Sequence, residues 1–169
     1  MLALILITFG ILLRFIPHIP NVSPVAAIAL FGAAYLPTKR LVLIVPLALM
    51  IVSDLFIGLH DIIVFTWGST LLISILALSF KKTNKPMTIL AGSLTGSVAF
   101  FVITNFGVWA SGWYPHTITG LQECFIAGIP FFRNFLASTL VYSSVLFGIY
   151  ELSAKLVKNT RFSRALLTN

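Results

Sequence analysis

Polar residues interrupt this chain rarely, and the stretches between the interruptions are apolar on nearly every face. The apolar runs cover residues 2–16, 24–36, 41–57, 62–80, 87–109 and 130–150, and a basic tail follows at 151–169. Runs of this kind form helices able to cross, or nearly cross, a hydrocarbon core of roughly 30 Å. Barrel strands would alternate polar and apolar residues, and these runs do not. The pattern therefore predicts an all-α membrane protein, with six transmembrane helices in one domain spanning 1–169.

The breaks carry their own signals. Pro17 and Pro20 stop the first run, and Ser23 reads as an N-cap with Pro24 in the following first turn. The second run has only thirteen residues, about 20 Å of helix. Its Ala26, Ala27, Ala29, Gly32, Ala33 and Ala34 allow close backbone approach, either to other helices of this chain or to a partner subunit. Pro46 is expected to kink the third run. Gly58 to Asp61 reads as a turn, with Asp61 as N-cap of the fourth helix. Gly92 and Gly96 mark a close contact along the fifth. Residues 117–127 read as a short amphipathic outer helix, and Pro130 as the start of the last span.

Composition agrees with the pattern: 59% of residues are hydrophobic, 9% are charged, and the mean hydropathy is +1.05. Net charge is +7, which by itself would admit nucleic acid as a partner. The positions of the basic residues argue otherwise. Nine of the eleven Lys and Arg lie in the breaks at 37–40 and 81–86 and in the tail, whereas the breaks at 17–23, 58–61 and 111–129 carry none. This asymmetry predicts both termini on the cytoplasmic side of a multi-pass protein of the inner (plasma) membrane, with no nucleic-acid partner. The N-terminus lacks the features of a cleaved signal peptide, so the first run is expected to remain as a helix.

The same asymmetry gathers the polar chemistry on the opposite, outward side: His18, Asn21, Asp54, His60, Asp61, Asn105, Trp109, Trp113, Tyr114, His116, Arg133 and Asn134. An aspartate inside an apolar helix is costly unless it is paired. Asp54 reads equally as half of a fixed ion pair, with Arg133 as the candidate countercharge, and as a ligand-binding group. Arg14 either snorkels to the interface or turns inward. Trp67 has the depth of an interfacial belt residue.

Catalytic and metal patterns are weak. No Walker A sequence, nucleophile elbow or paired-histidine helix occurs, so no enzyme activity, cofactor or metal is expected. The single cysteine, Cys124, excludes an intramolecular disulfide and reads as a packing residue.

Several motifs taken together suggest a family. Arg14 through Ala33, with its Pro-His-Ile-Pro-Asn-Val-Ser-Pro core, is one, and Ser53-Asp54 with Gly58-Leu59-His60 is another. The others are Thr104-Asn105 with Trp109, Tyr114-Pro115, and Pro130-Phe131-Phe132-Arg133-Asn134. This set resembles an uncharacterised family of small bacterial membrane proteins described as transport proteins. The six-helix plan is in turn similar to the S (substrate-binding) components of energy-coupling factor transporters. That resemblance implies an outward-facing site for a vitamin, precursor or similar small molecule. It also implies a membrane coupling subunit with ATPases, contacted through small-residue surfaces such as Ala29 and Ala33.

The expected function is accordingly small-molecule capture for transport. Asp54, Asn105, Arg133 and Asn134 form the polar floor, Trp109, Tyr114, His18 and His60 the walls, and Asn21 the adjoining loop. The alternative is a non-transporting scaffold or assembly subunit with a structural Asp–Arg pair.

Overall fold

The computed structural model describes residues 1–14, 20–80, 84–158, 160 and 166–167. Among these the chain is all-helical: α1 (Leu2–Leu13), α2 (Val25–Tyr35), α3 (Lys39–Ile57), α4 (Ile63–Leu78), α5 (Pro86–Ala110) and α6 (Ile118–Val157). By length and composition α3, α5 and α6 are each able to cross a membrane, while α1, α2 and α4 are apolar but shorter. Large apolar side chains such as Phe9, Ile44, Leu55, Val102 and Val141 point outward, which suits lipid rather than water.

The short helix α2 is the axis of the bundle. Every residue from Val25 to Ala33 is buried, and α2 packs against all five other helices. Its alanines and Gly32 make this possible, because backbones approach closely only where side chains are small. Ala29 and Ala33 are both 0% exposed, so their small surfaces face helices of this same chain. Gly92 of α5 belongs to the same seam, and a Cβ there would lie 2.6 Å from Leu30 Cδ2.

Helix starts follow side-chain caps in two cases and depart from expectation in others. Thr38 accepts from the Leu41 amide, so α3 begins at Lys39. Thr117 accepts from the Gly120 amide and starts α6. That helix does not end before Pro130. It runs through it for 40 residues, about 60 Å. The separate outer helix expected from the sequence is thus the first part of α6. Proline lacks the N–H that would meet the carbonyl four residues back, yet one missing bond is tolerated in a long packed apolar helix. Asp61 does not cap α4, whose N-cap is Ile62 with no side-chain hydrogen bond.

The helices alternate in direction. Their ends separate the chemistry accordingly. One end carries Lys39, Arg40 and Lys155, together with an aromatic cluster of Phe31, Tyr35, Phe147 and Tyr150. There Tyr35 Oη donates to Glu151, which also accepts from Asn84 Nδ2 at 2.9 Å, joining α2 and α6 to the segment before α5. The other end carries Asp54 and the polar residues around it.

Candidate functional site

Asp54 lies in the last turn of α3 and is 3% exposed. A lone carboxylate at such a place would be prohibitively desolvated, and the end of α1 and the start of α4 supply the donors it needs. Arg14, at the C-cap of α1, donates from Nη2 to Asp54 Oδ1 at 2.9 Å. Trp67 of α4 donates from Nε1 to Asp54 Oδ2, also at 2.9 Å. The guanidinium is held on its other edges: Nε donates to Ser53 Oγ at 2.6 Å and Nη1 to Ser23 Oγ at 3.2 Å. Ser23 stands just before α2, and its amide donates to Ser138 Oγ of α6 at 3.1 Å. The polar cluster therefore ties the ends of α1, α2, α3 and α4 together and reaches α6.

This geometry replaces the pairing expected from the sequence. Arg133 is exposed on α6, and the ion partner of Asp54 is Arg14. The reason is helical phase: Phe135 and Ser138 face the bundle interior, which turns Arg133 away. Asn134 is half-buried and donates from Nδ2 to the Pro20 carbonyl at 3.2 Å. Of the two readings of Arg14, the inward one describes the molecule. Trp67, read as a belt residue, is a ligand of the carboxylate.

Two cavities open beside this cluster. The first, about 550 Å³, is lined by Arg14 and Asp54, with Asn21, Thr66, Phe100 and Phe135 among its walls and exposed His60 at its rim. The second, about 320 Å³, lies against Asn105, Trp113, Tyr114, Cys124 and Phe131. Asn21, Thr66 and Phe100 line both. Asn21 also has a φ of +62°, the left-handed conformation that asparagine adopts more readily than most residues.

The structure thus brings Asp54, Asn21 and His60 to one chamber and Asn105, Tyr114 and Asn21 to the adjoining one. Trp109 lines neither: its Nε1 donates to the Pro115 carbonyl at 3.0 Å and its ring meets His116 edge-on at 5.3 Å. It fixes the loop that carries Trp113 and Tyr114. Arg133 and Asn134 line neither cavity, and His18 lies outside the described residues. Asn105 donates from Nδ2 to the Phe101 carbonyl, and its own carbonyl accepts from Cys124 Sγ at 3.3 Å. Among the described residues no three His, Cys, Asp or Glu side chains gather as a metal site would require.

Residues 1–162 match a family of unknown function, DUF6580. The chain belongs to DUF6580. No curated protein and no solved structure matches it.

Several contributors to this DUF6580 site lie outside the expected set: Arg14 and Trp67, for which the sequence suggests other roles, Ser23, which it suggests as an N-cap, and Ser53, Thr66 and Phe100. Trp67 had a usable signal. It lies thirteen residues beyond Asp54 across a turn, so its indole was the nearest N–H donor on the next helix. Trp67→Phe keeps the ring and removes that donor. Leaving a buried carboxylate oxygen short of a charge-assisted bond costs about 1.5–3 kcal/mol. Thermal unfolding in mild detergent is expected to show that loss, and an unchanged transition would contradict the Asp54–Trp67 bond.

Proposed function

We propose that this protein is a multi-pass transport protein of the bacterial inner membrane. In this reading it captures a small molecule at the polar end of its bundle and works in the manner of an S component, with six membrane helices and both termini inside. The observation that carries the reading is the pair of adjoining cavities that share Asn21, Thr66 and Phe100, the first of them lined by Asp54. Each lies within the roughly 300–1,000 Å³ of small-molecule sites, and they combine apolar walls with a few convergent polar groups as such sites do. The basic clusters at the other end of the helices fit a cytoplasmic face. A coupling subunit with ATPases would meet the protein from that side, and Ala29 and Ala33 are not available to it because they are buried.

Native mass spectrometry of gently purified protein tests the proposal. Wild-type protein is expected to carry a stoichiometric small molecule, and Tyr114→Ala is expected to lose it while keeping its helical content. Wild-type protein that carries none, and that takes none up from a cell extract, would count against capture.

A second reading rests on a specific observation. The Arg14–Asp54 pair with Trp67, Ser53 and Ser23 is a complete internal network joining four helices, as a scaffold subunit would have. A scaffold predicts no bound molecule and loss of folded protein when Asp54 is replaced.

A further inference from the structure

Among the described residues that line the first cavity, and apart from the exposed His60 at its rim, Arg14 is the one cation and Asp54 the one anion, 2.9 Å apart. Their formal charges cancel. Both are also engaged by the protein: Asp54 accepts from Arg14 and Trp67, and Arg14 donates from Nε, Nη1 and Nη2 to Ser53, Ser23 and Asp54. A charged ligand would give up its hydration on entering and find no uncompensated Lys, Arg, Asp or Glu among the described residues to replace it. A neutral one exchanges hydrogen bonds with water for hydrogen bonds at the site, at far smaller cost.

The second cavity is built differently. Among the described residues that line it there is no Lys, Arg, Asp or Glu, and Phe100, Trp113, Tyr114 and Phe131 bring four rings to its wall. Phe100 is held in place by stacking on Phe135, with centroids 4.1 Å apart and planes 10° from parallel. Because Phe100 lines both cavities, a fixed aromatic wall leads from the polar chamber into the aromatic one. Rigid rings with accessible faces favour a flat partner by offset stacking or edge contact.

We infer that the ligand of this site is an uncharged molecule with a flat apolar body and a hydrogen-bonding head. The body lies in the aromatic chamber, and the head reaches past Asn21 and Thr66 toward the Arg14–Asp54 pair. This inference rests on the small-molecule reading given above and adds to it the charge and shape of what is captured.

Benzamide, benzoate and benzamidine provide the test, since they share one ring and nearly one shape but are neutral, anionic and cationic. Binding of each is followed by ligand-observed saturation-transfer NMR, with the full chain in nanodiscs of zwitterionic lipid. Phe100→Ala serves as the site control, and Tyr114→Ala takes its place if that variant loses helical content. Benzamide is expected to bind at least about tenfold more tightly than either charged analogue, with a signal that the control variant removes. Benzoate or benzamidine binding as tightly as benzamide, or more tightly, at the same site overturns the neutral-ligand inference and leaves small-molecule capture standing. If no probe gives a signal that depends on Phe100 or Tyr114, the inference falls, while capture itself is decided by the native mass spectrometry above.

Discussion

Asp54→Ala is expected to lower the unfolding free energy by about 3–5 kcal/mol, the cost of leaving one member of a buried ion pair without its partner. The substitution strands the Arg14 guanidinium, whose side chain is only 14% exposed, and removes the acceptor of the Trp67 indole. A triple change, Arg14→Met with Asp54→Leu and Trp67→Phe, is expected to recover most or all of that loss. Apolar replacement of a whole buried ion network is often neutral or stabilising, because no charge then needs to be desolvated. Thermal unfolding followed by circular dichroism in mild detergent measures both proteins. A triple variant as unstable as Asp54→Ala would mean that the ionic groups stabilise the helices beyond what packing can replace. Native mass spectrometry of the wild type and of the same stable triple variant then separates the two functional readings: a capture protein carries a molecule that the variant lacks, whereas a scaffold carries none in either form.

The second large effect is steric. A Cβ on Gly120 would lie 2.1 Å from the Pro115 carbonyl oxygen, a backbone atom fixed by the Trp109 indole and the Thr117 amide. Gly120→Ala must therefore push α6 away from the loop that carries Trp113 and Tyr114, at about 1–3 kcal/mol for an overpacked contact. Gly148 is the matched control, on the same helix with nothing within 4 Å of its added Cβ. There alanine is expected to stabilise by about 0.5–1 kcal/mol, since glycine is a poor helix former. Opposite signs for the two substitutions in one unfolding experiment are the expected result. Equal effects would mean that α6 does not pack on Pro115 in the way described.

Helix starts were less legible than the runs themselves. Thr38 and Thr117 cap helices through their own side chains although neither is expected as a cap, so α3 starts at Lys39 and not at Leu41, while α2 has Pro24 as its N-cap and not the expected Ser23. Pro130 misled because proline is as common in a helix's first turn as it is rare in its interior, and only packing tells the two apart. Asp61 misled in the other direction: a residue of the right type stands in the right place, yet α4 starts one turn residue later without it. The expected site was legible as a region more than as a set of contacts. Asp54, Asn21 and His60 share one chamber and Asn105 and Tyr114 the next, while Trp109 acts on the loop and Arg133 points away.

Composition and run length predict a helical chain whose runs are long and apolar enough to cross a membrane, and three of the helices are of that kind. Those are one-dimensional properties, and they survive without knowledge of any contact. Which arginine meets Asp54 is of another kind. Arg14 is 40 positions away and Arg133 is 79, and nothing local distinguishes them. In a soluble helix the polar face would show which side turns inward. Here the helices are apolar nearly all round, so periodicity is silent about their rotation. The small residues of α2 decide it, by letting five helices close around one axis and bringing Arg14, Ser23, Ser53, Asp54 and Trp67 within hydrogen-bond reach.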